Sequence, residues 1–456
     1  MTTLHIIVEN VCFSVDRSLA VMGSEYFRAL FQSGMRECQQ KEISLQGLTA
    51  SSFNIMLRVL RGERPILNCE EIIEAVECAA FLQVETLEQH LSNIINSTNC
   101  LVMCHSASVY GLLNLYHKSA LFIRDMYLDL KESLECMPED VVDYIESLSP
   151  STFVAVVAHS PSLEFLQDFS RTICYLDEDE KTWKTLTELP VDVSTFLAGI
   201  TVLDNKLYIV GGVYGASKKA VEYSFCYDVD SNTWSKFSCP QQLRYNLTLT
   251  GKEGYLYAIG GEYEKTVISS VEKYDISKGT WSFCSHLPQP AAGAACAQAM
   301  SRIFLCLWKP LDTTDIYEYK PRNDSWTLIT TLIRQQSYGH YMVAHRDNLY
   351  VMRNGPSDDF LRCMIDCFNI TTNNWTALAG QYVNSKGALF TASVKGDWVF
   401  TVNRMLTLVY SIEENKWKPK KEMKGYPRGG SIQTCFLRLP QCKKDQFIKS
   451  VTNDSQ

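Results

Sequence analysis

Six tryptophans, Trp183, Trp234, Trp281, Trp326, Trp375 and Trp417, recur at intervals of 42 to 51 residues through the C-terminal two-thirds of the chain. A period near ~50 residues with aromatic punctuation predicts a β-propeller, one four-stranded blade per repeat. Five of the tryptophans follow an aromatic residue by seven positions: Tyr227, Tyr274, Tyr319, Phe368 and Tyr410. The stretches between, such as DVDSNT, DISKGT and KPRNDS, are rich in residues that favour chain reversal.

Upstream of these phrases lie apolar strands: LYIVGG ending at Gly212, LYAIGG ending at Gly261, then IFLCLW, LYVMRNG and WVFTVN. Only the first two end in a double glycine, which permits torsions and close approaches that a side chain forbids. Trp308, Asn354 and Asn403 stand there in the later repeats. Residues 171–189 supply the second half of a blade, and SIQTCFLRL, after Trp417, supplies one more apolar strand. Joining the two ends predicts a sixth, composite blade that removes the exposed sheet edge.

At 456 residues the chain has room for two or three domains. Apolar content of 46% and charge of 21% suit a globular protein. Seventeen cysteines without a framework predict the reducing cytoplasm. No signal peptide and no membrane span is expected, so Asn246, Asn369 and Asn374 read as unglycosylated turn residues. Residues 1–165 carry 21 acidic and 10 basic side chains, whereas the remainder carries 30 and 33. Neither part has the strong basic excess of a nucleic-acid binder, and the weakly basic propeller leans toward an acidic or neutral protein partner.

The first third reads differently. Strands LHIIVEN and CFSVD lead into SEYFRALFQSGMRE, where Tyr26, Phe27, Leu30 and Phe31 form a helical apolar face. EISLQGL is a further strand, and helices follow over SSFNIMLRVLRGE, with Ser51 or Ser52 as its cap, and EEIIEAVECAAFLQVETLEQHLSNII. With YFRALF, SGMRE and AAFLQ in place, this region resembles a BTB domain. NSTNCLVMCHSASVYGLLNLYHKSALFI resembles the opening of a BACK domain. BTB, BACK and kelch repeats in that order resemble the BTB-kelch family over nearly the whole chain. The expected fold is multidomain: an α/β BTB domain (1–95), a short all-α BACK-like region (96–168), a six-bladed all-β kelch propeller (169–440) and a polar, disordered tail (441–456).

The resemblance implies a non-catalytic, cytoplasmic adaptor whose BTB domain docks on cullin-3 while the propeller holds a protein substrate for ubiquitin transfer. The family's cullin-binding motif, an apolar residue, any residue and glutamate, falls on Met35, Arg36 and Glu37. An exposed apolar knob beside a carboxylate suits a buried anchor with one polar contact. Alone, the triplet favours a packed methionine and a solvated glutamate; the complete architecture reverses that and favours the interface. The first BACK helix pair adds Asn99, Leu101 and Tyr110 to the implied cullin surface. A BTB homodimer is implied by family, although only three residues precede the first strand where relatives carry an exchanged helix and strand.

In family propellers, partners bind loops that follow the double-glycine strand and loops that follow the tryptophan strand. Here the first set includes Tyr214, Glu262, Tyr263, Trp308, Lys309, Arg353 and Arg404. The second includes Arg244, Tyr245, Tyr338, His340, Asn384, Lys386 and Arg428. Arg and Tyr are frequent at energetic centres of interfaces, although solvated loops or blade packing also account for several of them. The repeat tryptophans and their aromatic mates are expected in the core.

No metal site or cofactor is expected. Cys100 and Cys104 share a helix face, but no second pair lies at zinc spacing. The glycines of GGVYGASKK lack phosphate-loop spacing, and no nucleophile elbow, catalytic triad or copper ligand set is found. The alternative to the adaptor is a cytoskeletal, actin-type scaffold. Some relatives serve striated muscle, and the resemblance leans that way.

Overall fold

Chain contacts divide the protein into two compact units, Met1–Leu148 and Ser149–Gln456. The computed structural model describes residues 3–33, 42–160, 171–178, 180–215, 219–309, 313–333, 338–356, 361–378, 382–384, 391–402, 407–420 and 432–440.

In the first unit, apolar residues alternate along β1 (Thr3–Val8) and turn Leu4, Ile6 and Val8 into the core. Glu9 and Asn10, both at positive φ, reverse the chain into antiparallel β2 (Val11–Asp16). Such a two-residue turn matches the strand twist. After α1 (Arg17–Gly23) and α2 (Glu25–Gln32), β3 (Glu42–Leu45) returns parallel to β1. Next comes α3 (Ala50–Leu60), which is capped by Thr49 rather than by either serine. The Thr49 hydroxyl accepts from the Ser52 amide at 3.1 Å, while Ser52 is buried and donates back to the Thr49 carbonyl. A reciprocal Asn68–Glu71 capping box starts α4 (Cys69–Leu82), and left-handed Gln83 separates it from α5 (Glu85–Asn93). Phe27, Phe53, Met56, Leu82 and Leu91 form the centre of this core. The helical run continues with α6 (Cys100–Tyr110), α7 (Leu113–Asp125), α8 (Tyr127–Leu134) and α9 (Glu139–Ser147).

Helix ends sooner than expected. Ser151–Val157, placed by sequence in an all-α stretch reaching residue 168, is a strand of the second unit. It is apolar and almost entirely buried, which a short periodicity argument cannot tell from buried helix.

Among the described residues, the second unit contains six antiparallel sheets of four consecutive-neighbour strands. The first is Ala198–Leu203, Lys206–Gly211, Tyr223–Asp228 and Thr233–Ser238. The second is Thr248–Lys252, Tyr255–Ile259, Val271–Asp275 and Thr280–Cys284. The third is Ala295–Ala299, Arg302–Lys309, Thr313–Lys320 and Ser325–Ile333. The fourth is Tyr338–His345, Asn348–Pro356, Leu361–Asn369 and Asn374–Ala377, with Tyr382–Asn384 added on its third strand. The fifth is Thr391–Lys395, Trp398–Val402, Thr407–Ser411 and Lys416–Lys420. The sixth is composite: Ile432–Arg438 pairs with Ser151–Val157, followed by Thr172–Asp177 and Thr182–Glu188. The first strand of each sheet packs on that of the next, and the strand Ile432–Arg438 also packs on Ala198–Leu203.

Glycine decides how the second strand ends. Gly260 has φ +56°, and a Cβ there would stand 2.2 Å from the Ala291 carbonyl oxygen. The strand stops, and the chain leaves as a separate ribbon, Glu262–Tyr263 against Thr266–Val267. Where Leu307 or Arg353 replaces that glycine, the strand keeps its course, and the hairpins lengthen to strands of eight and nine residues.

The tryptophans do more than fill a core. Each of the five pairs across strands with its aromatic mate, centroids 4.8–5.3 Å apart. The mates are buried, as are Trp183 and Trp281, but the other four tryptophans are half-buried. Their indole nitrogens reach the neighbouring sheet: Trp281 donates to the Ser238 carbonyl (2.8 Å), Trp326 to that of Ser285 (3.0 Å) and Trp375 to the Thr330 hydroxyl (2.9 Å).

Candidate functional site

Met35, Arg36 and Glu37 lie outside the described residues. Of their expected companions, Asn99 is buried, and both ends of its side chain hold the turn into α6. Its Oδ1 accepts from the Asn96 amide (2.8 Å), and its Nδ2 donates to the Ile94 carbonyl (2.9 Å). Its role in the described structure is to shape the helix start. Leu101 is half-buried, and Tyr110 is exposed at the end of α6.

Tyr110 belongs to a surface that sequence reasoning missed. Partial burial first, and then the neighbouring Glu77 carboxylate, push its phenol above the ordinary value. Glu77 sits on α4 midway between Ile73 and Phe81, both exposed. Spacing of four residues puts all three on one helix face, opposite the buried Ile72, Ala75, Val76 and Ala79. Phe81 also packs on Tyr26 of α2 at 5.7 Å. The signal was present in the sequence as a second apolar stripe on α4.

In the second unit, the expected loop residues divide into two groups. Tyr214, Tyr263 and Trp308 are exposed: Tyr214 on a ribbon of Val213–Tyr214 against Lys219–Ala220, Tyr263 on that of Glu262–Tyr263 against Thr266–Val267, and Trp308 at the end of the third sheet's second strand. Glu262 is half-buried and accepts from Asn246 Nδ2 at 2.7 Å. Lys309 is ion-paired with Asp315, which raises its ammonium pKa.

The other group is a correction. Arg244 and Tyr245, in the loop before the second sheet, and Arg353, on a strand of the fourth, are buried rather than presented to a partner. Arg244 Nη2 pairs with Glu272 at 2.5 Å, and Nη1 donates to the carbonyls of Gly260 and Ser270. Glu272 also accepts the amides of Gln241 (2.7 Å) and Gln242 (3.1 Å). Burial pulls the Arg244 pKa down, against the opposing pull of Glu272. Tyr245 is 3% exposed, and its hydroxyl accepts the Lys265 amide. Arg353 donates to Asp366 at 2.7 Å. Asp366 stands two residues before Phe368, as Glu272 stands two before Tyr274. The same acidic position thus receives its cation from the preceding loop in one sheet and from the lost glycine position in another.

Tyr338, His340 and Asn384 lie on described strands, but their side chains are outside the described residues, as are Lys386, Arg404, Arg428 and the tail. Among the described residues no group of three His, Cys, Asp or Glu is placed to hold a metal, and no helix is long and apolar enough to cross a membrane.

Comparison with known proteins bears on both units. Residues 1–99 match the BTB/POZ domain, and residues 166–355 match the KLHDC2/KLHL20/DRC7 Kelch-repeats domain. Kelch repeat and BTB domain-containing protein 13 of Homo sapiens is 54% identical over 440 residues, covering 96% of both chains. The chain belongs to the BTB-kelch family. The Mus musculus protein of the same name is also 54% identical, over 95% of this chain and 94% of its own. A more distant BTB-kelch relative, Kelch-like protein 42 of Mus musculus, is 27% identical over 90% and 91%.

Proposed function

We propose that the chain is a non-catalytic, cytoplasmic substrate-recognition adaptor of a cullin-3 RING ubiquitin ligase. Its BTB unit holds cullin-3, and its kelch unit holds a protein substrate for ubiquitination. The observation that carries this reading is the union of a BTB/POZ domain and kelch repeats in one chain, shared with a BTB-kelch relative over 96% of both lengths.

On this reading the six sheets are blades of one propeller, closed where Ile432–Arg438 joins Ser151–Val157. Met35 is the apolar anchor for cullin-3 and Glu37 its polar contact, with Leu101, Tyr110 and the exposed Ile73 and Phe81 extending the surface. Tyr214, Tyr263 and Trp308 supply rigid aromatic area for the substrate.

Co-purification of cullin-3 with the wild-type chain and with a folded Met35→Ala, Glu37→Ala double variant tests the reading. Binding by wild type and its loss in the variant is expected. No binding by folded wild type overturns the adaptor and puts a cytoskeletal scaffold in its place.

A further inference from the structure

The first strands of all six sheets wall a cavity of about 360 Å³ in the second unit. That volume is at the lower end of sites that take a small ligand or a few side chains. No described residue lining it carries a charge. Its polar groups are already engaged with one another: Thr195 donates to the Val157 carbonyl (2.6 Å), Thr248 to that of Ala294 (2.7 Å) and Gln433 to that of Ala198 (2.9 Å).

One sector of the rim is built against local preference. Leu197 and Asn246, which precede the first strands of the first and second sheets, have φ of +56° and +51°. Asparagine tolerates this region, but leucine does so only under strain, and such strain gathers where a site is held in shape. A backbone relay holds it: the Asn246 amide donates to the Leu197 carbonyl (2.6 Å), and the Gly293 amide to that of Asn246 (2.7 Å). All three residues line the cavity.

Among the described residues, the two guanidinium groups that sequence placed at a binding face, those of Arg244 and Arg353, are withdrawn from it. Arg244 is wholly buried on Glu272 and three carbonyls, and Arg353 is committed to Asp366. An acidic group entering this sector would lose its hydration without meeting a described cation in exchange, whereas an uncharged side chain loses little.

Resting on the adaptor reading for its biological setting, we infer that the rim at Leu197, Asn246 and Gly293 takes an uncharged segment of the substrate. An apolar side chain enters the cavity, and acidic segments are discriminated against. This names a substrate class from the chemistry of the wall.

Selection of a displayed random peptide library against the full chain, followed by anisotropy titration of synthetic hits, tests the inference. The hits should share an uncharged apolar residue, and replacing it by Asp or Lys should weaken binding at least tenfold. Ala294→Trp, which narrows the cavity, should weaken binding similarly while cullin-3 co-purification stays at the wild-type level. Leu197→Gly, which accepts the positive φ without strain, provides a second folded variant with the rim side chain removed, and should also bind weakly. An acidic consensus, hits that tolerate Asp, no hits at all, or binding unchanged in both folded variants overturns the inference. Loss of cullin-3 binding by wild type with neutral selectivity intact overturns the adaptor reading alone.

Discussion

The Tyr319 hydroxyl donates to Asp324 Oδ1, 2.7 Å away, across the turn that precedes Trp326. Asp324 has φ +45°, and Lys181, Asn232, Gly279, Asn373 and Asn415, each two residues before a repeat tryptophan, share that left-handed conformation. Asn232 and Asn415 accept from Tyr227 and Tyr410 in the same way, both at 2.6 Å. In these three sheets the aromatic mate therefore does two jobs, packing on the tryptophan with its ring and fixing the turn with its hydroxyl.

Tyr319→Phe should keep the ring pair and lose the bonds of the hydroxyl, to Asp324 first and to Cys284 second, at a cost of about 1 kcal/mol. Phe368 occupies the equivalent place in the fourth sheet with its ring pair intact, so the fold tolerates the change. Urea unfolding of the two proteins measures the difference.

Acid should act on the same turn. Burial pushes the Asp324 carboxyl up, but the Ser285 amide and Tyr319 hydroxyl bonded to it outweigh that and hold it below 3.8. A depressed folded value means that the stabilisation is present above the ordinary carboxyl range and is lost as pH falls through the folded value. Melting curves between pH ~6 and ~2 should show a steeper acid decline for wild type than for Asp324→Asn.

Arg244→Ala should be among the most damaging single changes in the second unit. Both Arg244 and Glu272 side chains are fully buried, so removing one leaves an uncompensated charge, at a cost of about 3–5 kcal/mol. The double change Arg244→Met, Glu272→Leu should recover much of that loss, because apolar groups need no partner. Chemical unfolding of the single and double variants decides this.

His90 predicts a second pH effect, in the first unit. Burial, and then the charge of Arg64, lower its pKa from 6.5 to about 4. Its Nε2 lies 3.2 Å from the Pro65 carbonyl, and its Nδ1 is buried without a described partner. The unfolded chain binds this proton more readily, so stability falls as pH drops from 6.5 to about 4 and levels off below. The loss is on the order of 3 kcal/mol. Calorimetry of wild type and His90→Met should give a stability difference that changes across that window alone.

The repeat phase, the strands and the turns were legible in the sequence by itself, because each is encoded within about fifty residues. A ring seven positions before Trp and turn-forming residues between the two are local relations, and they hold in five of the six described sheets. The pairing of Ile432–Arg438 with Ser151–Val157 joins segments far apart in the chain. Half of it was visible as a strand in search of a sheet, but its partner was hidden in an apolar run that reads as strand or helix alike.

Tertiary structure alone decided which of the expected binding residues face outward. Arg244 and Trp308 look equally available in a loop, yet one is fully buried on Glu272 and the other half-exposed. The difference arises because burying a guanidinium requires a carboxylate and free carbonyls to converge on it. That convergence depends on residues from different strands, and no spacing along the chain records it.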